Sequence, residues 1–147
     1  MKKQLFYLSS LLVFVVLFGS CGKYEDGPSI SLRTKTSRIS GDWKTEKNFY
    51  NGVEQQVSPD SQNSVFTFEK DGTGKMTLTL SGVSLSGDLE WEFGSGKETL
   101  KVRTKNTDGT WGEWDESTIL RLTNSELWIK DVPTGTTNEY ITHLAKV

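Results

Sequence analysis

Phe66-Thr67-Phe68-Glu69-Lys70-Asp71-Gly72-Thr73-Gly74-Lys75-Met76-Thr77-Leu78-Thr79-Leu80 decides the fold class. Phe66 and Phe68 alternate with polar neighbours on the way in. Met76, Leu78 and Leu80 alternate in the same way on the way out. Between them, Asp71-Gly72-Thr73-Gly74 has the composition of a hairpin turn. Side chains of a strand point to opposite faces in turn, so each run has one face to bury. No stretch of the chain sustains a helical period of 3.6.

The same texture extends outward. Leu89, Trp91 and Phe93 alternate with Glu90 and Glu92, which face away. Asn51-Gly52 is a strong hairpin signal, because both central residues of a type I′ turn need positive φ. Asp108-Gly109 and Pro133-Thr134-Gly135-Thr136-Thr137 mark further loops. The pattern predicts strands over 41–50, 53–58, 63–70, 75–81, 83–93, 97–105, 114–123, 125–131 and 138–146. Short strands at such spacing, with no helical partner, must stack as two sheets or close on themselves. Closure removes exposed edges. The expected fold is therefore all-β, a small up-and-down antiparallel barrel of eight or nine strands. Phe66, Phe68, Met76, Leu78, Leu80, Leu89, Trp91 and Phe93 form its expected interior. Such a lining could hold an apolar ligand or be filled solid by its own side chains.

The front end has a different character. Lys2 and Lys3 precede a 14-residue, largely apolar run, Leu5 to Phe18, followed by Gly19 and Ser20. That run is shorter than the ~20 residues needed to span a bilayer. A charged start, a short apolar core and small residues at its end describe a secretory signal. Leu17-Phe18-Gly19-Ser20-Cys21 resembles the bacterial lipobox, although Phe18 stands where a smaller aliphatic is usual. The resemblance implies cleavage before Cys21 and lipid attachment to it. Cys21 is the only cysteine, so no internal disulfide can form. An unpaired cysteine in a secreted chain needs an explanation, and acylation supplies one. Residues 1–20 are thus expected as signal peptide, 21–38 as lipidated cysteine and flexible tether, and 39–147 as the barrel domain.

The chain carries 17 basic and 19 acidic side chains and no basic cluster. Phosphate backbones are bound through such clusters, so nucleic acid is disfavoured as a partner. The expected partners are the membrane, through the N-terminal lipid, and a small apolar ligand or, for a cell-surface interaction module with no internal ligand, a glycan or an envelope protein, with the chain acting as a monomer.

Gly41-Asp42-Trp43 looks like the Gly-x-Trp signature that opens the first strand of lipocalins. Phe66 to Gly74 is similar to a segment of short lipocalin-like lipoproteins of Bacteroidota. Glu126-Leu127-Trp128-Ile129 and the stretch from Glu139-Tyr140 to Lys146-Val147 fit their closing strands. This resemblance covers residues 39–147. It implies a small barrel with room for a ligand, on a lipoprotein of the outer membrane. Glu25 and Asp26, soon after Cys21, resemble an export signal to the cell surface, or equally an acidic linker. Classical lipocalins also carry a helix and an arginine packed over the Trp. No such helix is expected here, and Lys146 or Arg121 is the candidate for the cation.

The expected site residues follow. Trp43, Phe66, Phe68, Met76, Leu78, Trp91 and Phe93 are ligand-binding or interior positions. Trp43 is expected to plug the closed end, its indole N–H bonded to a backbone carbonyl. Trp111-Gly112-Glu113-Trp114-Asp115-Glu116 places two indoles beside carboxylates, so Trp111 and Trp114 are candidates for surface contact with a sugar. In a plainer reading, one indole is core and the other covers a barrel end. Enzyme chemistry has little support. His143 is the only histidine, which excludes a multi-His metal site. Glu90 and Glu92 lie on a solvent face, and Asp71-Gly72-Thr73-Gly74 has too few carboxylates for calcium. No catalytic residue, cofactor or metal is expected.

Overall fold

The structure is a computed structural model that describes residues 33–147. The expected signal peptide, Cys21 and the tether up to residue 32 lie outside the described residues. The elements are helix α1 (Lys35–Ile39), strands β1 (Gly41–Tyr50) and β2 (Val53–Gln55), and helix α2 (Pro59–Asn63). Strands β3 (Val65–Phe68), β4 (Thr73–Leu80) and β5 (Val83–Phe93) follow. After a 3₁₀ turn (Ser95–Lys97) come β6 (Thr99–Thr104), β7 (Asp115–Leu122), β8 (Glu126–Asp131) and β9 (Tyr140–Lys146).

β1 and β3 to β9 pair in chain order, and β9 pairs back onto β1. Eight antiparallel strands therefore close into an up-and-down barrel, the expected fold. β2 returns along the far half of β1 as a ninth strand. Asn51 and Gly52, at the turn between them, both have positive φ, 48° and 78°. The turn before β4 is held by Asp71, whose carboxylate accepts from the Thr73 amide and hydroxyl. Those bonds hold the Asp71 carboxyl below its ordinary pKa. Gly74 follows because nothing larger fits: a Cβ there would lie 2.1 Å from the Thr67 carbonyl oxygen.

The lower half of the barrel is packed. Ile39, Trp43, Leu122 and Leu127 are fully buried, and Phe68, Leu89, Trp91 and Ile119 nearly so. Trp91 meets the edges of Phe68 and Phe93 at 5.9 and 5.5 Å between ring centres, favourable tilted geometries. Its indole N–H donates to the Glu69 carbonyl at 2.8 Å. Trp43 plugs this end, and its indole N–H donates to the Ile39 carbonyl at 2.6 Å.

Two one-turn helices go beyond the sequence reading. Helix α1 spans the end of the segment expected as tether and the first residue of the expected barrel domain. Thr34 caps it, and its last residues, Arg38 and Ile39, are buried against the barrel floor. The Arg38 guanidinium donates to the Leu122 carbonyl at 2.6 Å. Burying an Ile side chain contributes roughly 1.5–3 kcal/mol, enough to hold so short a helix in place. Helix α2 starts at the Ser58 cap, with Pro59 in its first turn. Ser64 anchors it: its hydroxyl donates to the Asp60 carbonyl and accepts from the Thr79 amide. The Asp60 carboxylate in turn accepts from the Ser81 amide at the β4–β5 turn.

One interior assignment is corrected. Leu80 faces inward by alternation, yet it is 51 % exposed. Its cross-strand partner Val83 and nearby Leu85 are also more than half exposed. The β4–β5 hairpin overshoots the rim, so its inward face has no opposite wall to pack on.

Candidate functional site

The upper half of the barrel is hollow. A cavity of about 370 Å³ opens towards α2 and the ends of β1, β7 and β9. Its apolar part is Phe66, Phe68, Leu100, Val102, Ile129 and Leu144. Its polar part is Thr45, Asn48, Ser61, Asp115, Ser117 and Thr142. The division follows from strand position. Each strand alternates in and out, and the inward residues change from Leu, Ile and Phe at mid-barrel to Ser, Thr, Asn and Asp near the rim. The volume lies within the ~300–1,000 Å³ range of small-molecule sites.

The expected site residues divide in two. Phe66 and Phe68 line the cavity. Trp43, Trp91, Phe93 and Met76 belong to the packed core or lie against it. Leu78 is half-buried on the overshooting hairpin, opposite Leu85. The sequence reading missed the wall formed by Leu100, Val102, Ile129 and Leu144. The alternation of Leu100-Lys101-Val102 and Thr142-His143-Leu144 carried the signal.

A shallower vestibule of about 680 Å³ adjoins the cavity, with Asp115 and Ser117 in the lining of both. Trp114, Glu116 and Asp131 also line it. The Ser117 hydroxyl donates to the Asp131 carboxylate. Trp111 and Trp114 flank Arg103, whose guanidinium carbon lies 5.2 and 4.5 Å from their ring centres, within cation–π range. Glu90 accepts two bonds from the same guanidinium. Trp111 is half-buried, while Trp114 is 36 % exposed.

His143 points the other way. Its neighbours Thr142 and Leu144 line the cavity, so alternation places the imidazole outside. There it stacks on Trp128, with ring centres 4.0 Å apart, and meets Phe49 at 4.9 Å. Burial pushes its pKa below the ordinary value, and the Lys47 charge adds to this. Glu46, Glu126 and Glu54 oppose it. Among the described residues, no group of three or more His, Cys, Asp or Glu is placed to hold a metal ion. Among them, too, no helix is long and apolar enough to cross a membrane.

No family model matches the chain. No curated protein matches it either. Among solved structures it is similar to a deswapped triple mutant of bovine odorant-binding protein, at 14 % identity and a TM-score of 0.42. That match covers 78 % of this chain and 75 % of the other. It is also similar to the odorant-binding protein from bovine nasal mucosa, at 17 % identity and a TM-score of 0.38, over 80 % and 77 % of the two chains. A complex of the bovine protein with undecanal aligns over the same shares at 18 % identity, with a TM-score of 0.38.

Proposed function

We propose that this chain is a lipid-anchored lipoprotein of the cell envelope whose lipocalin-like barrel binds a small apolar or amphipathic ligand without chemical conversion. The cavity of about 370 Å³ carries this reading, because it unites a packed apolar wall with a polar rim. A chain that needed only a stable barrel gains nothing from leaving its upper half unfilled, since a void forfeits contact energy. The anchor rests on Cys21 and the apolar run before it, and the proposed location is the outer membrane.

Titration of the full chain with N-phenyl-1-naphthylamine tests the cavity. The chain is held in phosphatidylcholine nanodiscs, with empty discs subtracted. The expected result is saturable fluorescence enhancement, weakened in Val102→Phe, which narrows the cavity. No saturable binding, or binding that the variant leaves unchanged, overturns the reading. Cys21→Ser with cell fractionation tests the anchor: the protein is expected to leave the membrane fraction, and retention there overturns it.

A second reading has its own observation. Trp114 keeps an exposed ring edge beside the carboxylates of the vestibule. A contact with a glycan at the cell surface would use it, and with it Trp111. Quenching of tryptophan fluorescence by a polysaccharide, absent in Trp114→Ala, is the expected sign of that contact.

A further inference from the structure

We infer that the cavity selects an amphipath whose polar end is cationic, an alkyl or aryl amine, over the carboxylate with the same tail. This rests on the proposal that the cavity binds a ligand, and it names the ligand's class.

The charge around the opening has one sign. The one charged residue lining the cavity is Asp115. The inward-facing charged residues lining the vestibule are Asp115 and Asp131, with Glu116 turned to the outer face, where it sits across from Lys101 and accepts from the Thr99 hydroxyl. Basic residues of the same wall alternate onto the outer face, where acids hold them. Lys101 pairs with Glu92, Arg103 with Glu90, and Lys130 with Glu139. Asp115 and Asp131 take the inward positions, as the bond from inward-facing Ser117 to Asp131 shows.

The hydrogen-bonding capacity of the β7–β8 wall agrees with the charge. Ionised carboxylates only accept. The Ser117 hydroxyl, which could have donated to an anionic headgroup, already donates to Asp131. An ammonium offers three donors and a positive charge to this wall, whereas a carboxylate offers acceptors to acceptors.

The opposite wall completes the fit. In a ring of eight strands, β4 lies four places from β8, so the two face each other across the barrel. β8 ends in Asp131, while β4 ends in Leu78 and Leu80 and continues through Val83 and Leu85. From Met76 to Gly87 the chain carries no charged residue. The inward face of the hairpin is thus apolar, with the Asp60 carboxylate bound only at its tip. A head turned to β7–β8 leaves the tail in the apolar lining of Phe66, Phe68 and Leu100 below.

The test displaces N-phenyl-1-naphthylamine from the full chain in phosphatidylcholine nanodiscs with decylamine, decanol and decanoate at neutral pH. Empty discs correct each for partition. Decylamine is expected to displace the probe at a concentration on the order of tenfold below decanoate, the scale set by a like-charge contact near a protein surface. Decanol is expected to fall between them. Asp115→Asn and Asp131→Asn, made separately, are each expected to narrow the gap, read as the ratio of amine to carboxylate potency within each variant. Equal potency of amine and carboxylate overturns the inference alone, as does a gap that neither variant narrows. Failure of all three compounds to displace the probe overturns the cavity reading and this inference with it.

Discussion

The Lys146 ammonium stands 4.9 Å from the centre of the Trp43 indole and donates to the carbonyls of both Arg38 and Ser40. Of the two candidate cations for this position, Lys146 is the one that stands over Trp43. Arg121, the other candidate, lies over Trp128 and pairs with Glu126. Lys146 also ties the last strand to α1, since Trp43 itself donates to Ile39 at the end of that helix. Partial burial and the Arg33 charge lower the Lys146 pKa from its ordinary value.

Lys146→Met keeps most of the side-chain stem and removes the charge and both bonds. Two carbonyls near the barrel floor lose their donor, at about 1–3 kcal/mol for each group left unsatisfied. Urea unfolding is expected to show a lower midpoint with an unchanged slope. An unchanged midpoint means that the clasp contributes nothing.

Gly74→Ala and Gly87→Ala separate close approach from strand propensity. Both glycines lie in strands with their inward side towards the barrel. The added methyl at position 74 meets the Thr67 carbonyl at 2.1 Å and Leu89 at 2.7 Å, while at position 87 it meets nothing within 4 Å. Gly74→Ala is expected to destabilise by roughly 1–3 kcal/mol or more. Gly87→Ala is expected to stay within about 0.5 kcal/mol of the parent. Thermal melts of the two, side by side, check the difference.

His143 makes stability depend on pH in a known direction. Its folded-state pKa is lowered, so the folded protein takes up the proton less readily than the unfolded chain. The stabilisation is complete above the unfolded value of about 6.5 and falls as pH drops through and below it. His143→Phe keeps the stack on Trp128 and removes the proton site. The difference in unfolding free energy between parent and variant is therefore expected to change between pH 7.5 and 5, with the parent losing more. Parallel pH profiles would show that the stack does not resist protonation.

Ser64 is buried and bridges α2 to β4. Ser64→Ala leaves the Thr79 amide without that partner, at a cost of about 1–3 kcal/mol. Faster amide exchange at Gln62, Ser64 and Thr79, ahead of any change at the barrel floor, is the expected readout.

The strands were legible because each joins a two-residue alternation to a turn with its own chemistry. Asn51-Gly52, Asp71-Gly72 and Asp108-Gly109 all fall where strands end. The two helices were not, because five residues are too few to show a period. Their signals were local: Thr34 before Lys35, and Ser58-Pro59-Asp60 with an N-cap, a helix-starting proline and an acid in the first turn. The half-hollow interior was beyond alternation, which says which way a side chain points and not whether another meets it. Leu80 and Leu89 share a face by parity, yet one lies beyond the rim and the other in the core. Asp115 and Asp131 fall inside the expected strands 114–123 and 125–131, but alternation alone does not show that their inward positions border an unfilled space.

β1 and β3 pair over three residues, Gly41 to Trp43 with Phe66 to Phe68, the shortest ladder in the barrel wall. Every other neighbouring pair around the ring matches four or more. This is where the cylinder unzips at least cost, and unzipping bares two strand edges that a second chain could extend. Helix α2 packs against both β1 and β4 beside this seam. Beyond bordering the cavity, that single helical turn braces the two strands on either side of β3.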